Sequence, residues 1–351
     1  MHLHQSSQNP QLITKSTHPN ITVVSLRSLL KNPSIGISVE TFHCPIRALG
    51  TVVGACNGLL CLLFKSILIT HVEYQFYVWN PATRTISEKL GFFRDKKRLE
   101  DTFNFNFGFD YLTGTYKLVA LYAKRNKGIV NEGLWVSKVK FFNLGDNYWR
   151  NILSFPWVPL PENEGVHLSG TINWLSIPGG YGTIYVDEIF KASITHVDQF
   201  VIVSVDLSTE TDTRLLLPTG FDEVPYVEPS LRVLMDCLCF SHDYKKTEFV
   251  IWQMREFGVQ ESWTQLFRIE YLHLQRHIPF SDYFLDYMEA DIPLLPLYLF
   301  KNEDTLMLRH NGDNGIIIYN MRDKTAEMIG LSRYWYCPFD YVESLNSTPW
   351  N

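Results

Sequence analysis

The chain has 351 residues, of which 46% are hydrophobic and 14% aromatic, so it can bury a large core and is not disordered on the scale of a domain. Charged residues make up 19%, with 31 Lys+Arg against 37 Asp+Glu, and this mildly acidic balance excludes a general nucleic-acid-binding footprint while favouring a basic protein partner. Six cysteines, mostly in apolar runs, are too few for a disulfide scaffold and fit a reducing compartment.

In chain order, residues 1–19 read as a flexible lead. The opening MHLHQSSQNPQLITK lacks the apolar stretch of a secretory signal, and the longest apolar run, residues 58–64, falls well short of the roughly 20 residues of a membrane span. The expected location is therefore cytoplasmic, with a nuclear fraction allowed, and the sequons at Asn20 and Asn346 carry little weight. Amphipathic helices are scarce: VVSLRSLLKN (23–32) and EYLHLQRHI (270–278) are the two weak candidates.

From residue 52 onward one phrase recurs. An apolar run meets Asn, Asp or Gln, a short polar turn follows, and a second run returns: FYVWNPATRTI, VKFFNLGDNYWRNI, VIVSVDLSTETDTRLLL, FVIWQMREFGVQESWTQLFRI and IIIYNMRDKTAEMI. The pivots are Asn80, Asn143, Asp206, Gln253 and Asn320. A short side-chain acceptor at such a position bonds the backbone two residues on and starts a tight turn, so each phrase is a hairpin signal. Between the pivots lie further turn-and-strand elements at 52–64, 165–177, 231–243 and 302–312, and a hairpin at 105–121 with Thr113 and Gly114 at its tip. Five units emerge, near 52–90, 104–155, 164–218, 230–270 and 296–330. Repeated four-strand units predict an all-β chain, a β-propeller-like ring of five or six blades with little helix, in which 20–345 form one domain and 346–351 a tail, and the ends, about 20–47 and 334–345, pair with one another or with the first unit to close the ring.

The phrases VVGACNGLLCL, FYVWNPATRTISEKL, FGFDYLTGTYKLVAL, VHLSGTINWLS, VIVSVDLSTETDTRLLLP, EFVIWQMREFGVQESWTQLFRI and YVESL, taken in this order over roughly 20–345, resemble the F-box-associated domain of plant F-box proteins, with wording similar to the S-locus F-box and S-locus F-box-like branch. The resemblance implies the substrate-recognition arm of an SCF-type (Skp–cullin–F-box) E3 ubiquitin ligase. In that family an F-box docks a Skp-type adaptor and the associated domain captures the protein to be ubiquitinated. In the S-locus branch that target is a self-incompatibility ribonuclease, typically basic, met in pollen. No Leu-Pro pair followed by a Leu-rich run and a Lys-Ser-Trp phrase precedes residue 50; MHLHQSSQNPQLI instead resembles the segment that follows the F-box, which makes residues 1–19 its expected remnant. The sequence as read is therefore expected not to bind the adaptor or cullin by itself, and a degenerate, F-box-less competitor is one alternative.

No catalytic, metal or cofactor constellation is predicted. Cys237 and Cys239 share a strand face near His242, but further ligands at zinc spacing are missing, so a buried strand is the better reading. His273 and His277 lack the Glu of an HExxH motif, and PGGYG (178–182) lacks a phosphate-loop lysine. RDKKRLED (94–101) interleaves its charges and reads as a solvated loop. The tryptophans at 79, 149, 174, 252 and 263 fall on strand arms and are assigned to packing. Loop tyrosines among Gly, Pro and acids are different: Tyr181, Tyr185, Tyr226, Tyr283 and Tyr287, with Asp222, Glu223, Asp286 and Glu289, are the candidate partner-binding residues, because tyrosine is enriched at interfaces and carboxylates steer a basic partner. The competing class is a propeller hydrolase or oxidase with its site at the channel mouth, which would need acids, His or Tyr converging from several blades.

Overall fold

The structure is a computed structural model, and the residues described are 11–15, 21–25, 50–95, 103–125, 135–146, 148–160, 163–179, 194–277, 294–300, 304–310, 315–330 and 339–341. Almost all of them are strand or turn. The chain divides into two compact units, one of Met1–Ala120, Lys140–Asn151 and Leu331–Asn351, the other of Leu121–Val139 and Ile152–Gly330.

Five antiparallel sheets of four or five strands follow one another along the chain, at the places the repeated phrases predict. The first runs β3 (Gly50–Cys56), β4 (Leu59–Ile67), β5 (Val72–Asn80) and β6 (Thr85–Ile86), with β7 (Gly91–Asp95) also on β5. The second runs β8 (Phe103–Asp110), β9 (Thr115–Arg125), β10 (Trp135–Asn143) and β11 (Arg150–Phe155). The third is β13 (Val166–Leu168), β14 (Thr171–Pro178), β15 (Val201–Asp206) and β16 (Asp212–Leu215), with β12 (Trp157–Pro159) also on β14. The fourth is β17 (Ser230–Leu234), β18 (Cys237–Tyr244), β19 (Glu248–Met254) and β20 (Trp263–Glu270), and the fifth is β21 (Leu294–Leu299), β22 (Thr305–His310), β23 (Gly315–Asn320) and β24 (Thr325–Gly330). One further sheet joins the two ends of the chain: β1 (Gln11–Lys15) lies between β2 (Ile21–Ser25) and β25 (Phe339–Tyr341). The helix expected at 23–32 is corrected at its start, because Val23, Val24 and Ser25 pair with β1, a strand the two β-branched valines favour. At 270–278 a helix does form, α1 (Tyr271–His277).

Hydropathy explains which strand sits where. The second strands β4 and β14 are covered on both faces and read as continuous apolar runs, LLCLLF and TINWLSI, whose residues are buried almost throughout. The fourth strand β20 alternates instead, one face in and one out. Within the first unit, an aromatic cluster packs β5, β7 and β8 together: Phe93 and Phe103 have centroids 4.7 Å apart, Phe76 and Phe105 5.0 Å, and Trp149 closes on Phe93 at 5.4 Å. Gly54 allows β3 to approach β8, since a Cβ there would stand 3.1 Å from that of Phe107. Within the second unit, β17 lies against both β13 and β21, and two apolar layers fill the spaces on either side of the fourth sheet.

The expected turn chemistry holds at three of the five pivots. Asn80 Oδ1 accepts the N–H groups of Ala82 and Thr83 at 3.0 and 3.3 Å, Asp206 Oδ1 those of Ser208 and Thr209 at 2.7 Å each, and Asn320 Oδ1 those of Arg322 and Asp323 at 2.9 and 3.1 Å. Asp110, at the tip read from Thr113 and Gly114, does the same for Leu112 and Thr113. The fifth residue of each turn is left-handed: Arg84, Gly114, Glu210 and Lys324. Two pivots are corrected. Asn143 spends its side chain on Asp146 and Arg150. Gln253 is inside β19, opposite Cys239 and Thr264, because its longer side chain cannot fold back on the adjacent backbone as Asn does.

Candidate partner-binding surface

In each four-strand sheet the links from first to second and from third to fourth strand leave at one end; the links from second to third, and onward to the next sheet, leave at the other. All nine candidate residues belong by chain order to links of the second kind. Tyr181 and Tyr185 stand between β14 and β15, Asp222, Glu223 and Tyr226 between β16 and β17, and Tyr283, Asp286, Tyr287 and Glu289 between α1 and β21. Tyr181, Tyr185, Tyr283, Asp286, Tyr287 and Glu289 lie outside the described residues. Asp222, Glu223 and Tyr226 are described and come together with the β18–β19 turn of the same unit.

The segment that carries these three is pinned at both ends. At its start, Phe221 is buried and packs edge-on against Phe200, Phe240 and His242, with centroids 5.6, 4.9 and 4.9 Å away. At its end, the buried Asn163 donates from Nδ2 to Glu228 Oε1 at 2.7 Å and to the Pro229 carbonyl at 2.8 Å, and accepts the Leu231 N–H on Oδ1. Between the anchors Asp222 and Tyr226 are exposed and Glu223 is half-buried.

Beneath the segment, His242 is held neutral. Its Nε2 accepts the Trp252 indole N–H at 3.2 Å and its Nδ1 lies 3.0 Å from the Asp243 carbonyl, which requires the proton on Nδ1. Burial pushes its pKa down to about 4. A second proton would set Nε2–H against the indole N–H.

The turn after β18 faces the segment from the other side. Lys245 Nζ is 3.5 Å from Glu223 Oε2, and Lys246 Nζ is 4.6 Å from the Tyr226 ring centroid. Arg268 lies over the Tyr244 ring at 4.7 Å while its Nε donates to Glu248 Oε2 at 2.7 Å. Tyr244, through a hydrogen bond, and then the charge on Glu223 raise the Lys245 ammonium above its ordinary pKa. The surface is thus two tyrosine rings, each covered by a cation, with carboxylates interleaved. Lys245, Lys246 and Asn163 escape a sequence reading because nothing in SHDYKKTEF or PENEG reveals which distant segment they touch. The three-residue spacing between β-arms, Lys245 to Thr247, was the available signal.

The residues weighed for chemistry are committed elsewhere. Burial raises the thiols of Cys56 and Cys239 to about 12 and moves Cys61 and Cys237 the same way, so these thiols are not thiolate nucleophiles at neutral pH. His273 on α1 is 3.8 Å from Glu270 at the end of β20. Among the described residues no group of three or more His, Cys, Asp or Glu is placed to hold a metal ion, and no helix is long and apolar enough to cross a membrane.

Comparison with known proteins agrees with the architecture. Curated relatives from Arabidopsis thaliana include an F-box/kelch-repeat protein, 23% identical over 75% of this chain and 65% of its own length, and a putative F-box protein, 26% identical over 60% and 41%. The F-box protein CPR1 is 22% identical over 92% of this chain and 74% of its own length. The chain thus spans less than two thirds of the first two. A solved TolB structure from Acinetobacter baumannii aligns over 95% of this chain and 66% of its own, with a TM-score of 0.49 and 10% identity, a likeness too slight to bear on function. The family model described as the F-box associated beta propeller domain matches residues 12–348, and the chain belongs to that family.

Proposed function

We propose that residues 12–348 are the non-catalytic target-binding domain of an SCF-type E3 ubiquitin ligase, carried in the cell interior by a protein whose F-box engages a Skp-type adaptor and, through it, a cullin. The observation that carries this reading is the match of the F-box associated beta propeller family across nearly the whole chain, together with curated relatives that are named as F-box proteins. The chemistry supports a binding role: the thiols are held protonated by burial and His242 has both ring nitrogens engaged. Target contacts are assigned to the links that carry Tyr181, Tyr185, Asp222, Glu223, Tyr226, Tyr283, Asp286, Tyr287 and Glu289. Tyrosines and carboxylates there suit a protein rich in Lys and Arg, and a self-incompatibility ribonuclease met in pollen is the narrower target that the S-locus wording suggests.

The test is reconstitution. A ligase assembled on the F-box-bearing gene product should transfer ubiquitin to the target, and residues 12–348 alone should bind that target and inhibit the transfer without retaining adaptor. Adaptor held by the domain alone, or target bound only when adaptor is present, overturns the assignment.

A further inference from the structure

Resting on the reading that the Asp222–Tyr226 segment receives a cationic partner, we propose that Lys245 and Lys246 are a built-in competitor for that site, standing where the partner's own cations must go. An ammonium beside Glu223 and an ammonium over the Tyr226 ring are the two contacts that a basic partner would make here, and this chain already makes both, at 3.5 and 4.6 Å. The turn presenting them is fixed. Thr247 N–H bonds the Tyr244 carbonyl at 3.0 Å, Lys246 N–H bonds Asp243 Oδ1 at 3.1 Å, Tyr271 N–H bonds the Thr247 carbonyl at 2.9 Å, and the Tyr271 hydroxyl holds Asp243 Oδ2 at 2.9 Å.

Lys245 and Lys246 take φ of 54° and 58°, where Gly or Asn would sit with less strain, so the backbone gives no reason for lysine at either position. The receiving segment is fixed too, by Phe221 and Asn163. What moves when a partner enters is the pair of lysine side chains, of which Lys245 is half exposed. Exchange of one ammonium for another gains little. The site therefore discriminates toward partners that do better than lysine, namely those offering guanidinium groups, which bond a carboxylate through two N–H groups and stack flat on a ring.

The experiment titrates the protein with fluorescent oligoarginine and oligolysine peptides of equal length. Oligoarginine should bind more tightly. Lys245→Gln with Lys246→Gln should raise the affinity for either probe about three- to tenfold, the range set by two exposed cation contacts. That gain should vanish when Glu223→Gln and Tyr226→Leu are already in place, which separates displaced contacts from the loss of two positive charges. Lys65→Gln with Lys324→Gln, the same charge change elsewhere, should give no such gain. No gain at Lys245 and Lys246, or an equal gain in both backgrounds, overturns the competitor while leaving the site intact. If Asp222→Asn with Glu223→Gln leaves both probes bound as before, the underlying site reading fails instead.

Discussion

Asn163 accepts the backbone N–H of Leu231 at 3.0 Å while its own amide holds Glu228 and the Pro229 carbonyl, so a single buried carboxamide fixes the end of the segment that carries Asp222, Glu223 and Tyr226. Removing it leaves a buried N–H and a buried carbonyl without partners. Asn163→Ala is expected to lower stability by roughly 2–3 kcal/mol, read as a fall in the urea midpoint. Asn163→Asp keeps the acceptor for Leu231 but sets a second carboxylate against Glu228, and should be at least as damaging. A midpoint unchanged by either substitution would show that the segment is held by Phe221 alone.

Asp110 and Lys117 form a buried ion pair at 3.1 Å, with side chains 0% and 5% exposed. Asp110 also receives the Thr113 hydroxyl on Oδ2 and two turn N–H groups on Oδ1, so its charge cannot be released to water without opening the hairpin. Lys117→Met strands that carboxylate and should cost about 3–5 kcal/mol. Adding Asp110→Asn should restore most of the loss, because Asn80 and Asn320 make the same turn with a neutral carboxamide. Chemical denaturation of the two variants measures both steps.

Met235 and Asp236 link β17 to β18 in a two-residue loop with φ of 50° and 58°. The corresponding loop of the first sheet uses Asn57 and Gly58, with φ of 50° and 74°. Such a turn demands left-handed backbone at both positions, which Asn-Gly supplies at little cost. Replacing Met235-Asp236 with Asn-Gly is therefore expected to stabilise the protein by about 1 kcal/mol, seen as a raised melting temperature. A lowered one would mean that the Met235 side chain, 43% exposed, contributes more than its position suggests.

The same turns show how far the sequence could be read. Asn80, Asp206 and Asn320 announce their hairpins because the mechanism is local: acceptor, backbone and turn lie within four residues. The five sheets follow from that repetition and from runs such as LLCLLF. Gln253 misleads because it shares the polar slot of the phrase without the short side chain that makes the slot work. The strand β1 was invisible because its partners, β2 and β25, include one from the far end of the chain. Likewise the candidate surface was half legible. Tyrosines and acids stood out among Gly and Pro, but the pairing of Glu223 and Tyr226 with Lys245 and Lys246 depends on a contact between segments about 20 residues apart. Sequence spacing cannot show such a contact.

His242 makes acid stability a measurable consequence of the fold. Its pKa falls from an ordinary 6.5 to about 4 because burial of the ring outweighs the opposing pull of the Asp243 carbonyl on Nδ1. Above 6.5 the imidazole is neutral folded or unfolded, and pH has no leverage through it. Between 6.5 and about 4 the unfolded chain takes up a proton that the folded one refuses, so stability falls as pH drops, by about 3 kcal/mol in total, and levels off below that window. Glu73 acts lower down. Hydrogen bonds from Arg94, Gln75 and Lys89 hold its carboxyl at about 2, so its contribution is present above 4.5 and is lost as pH falls toward 2. Because the two windows barely overlap, urea midpoints taken from neutral pH down to about 4 isolate the histidine. His242→Gln should be less stable than the parent at neutral pH, yet should lose less on acidification. A variant that tracks the parent's slope throughout would place the titrating group elsewhere, and the neutral Nδ1–H form of His242 would no longer be tenable.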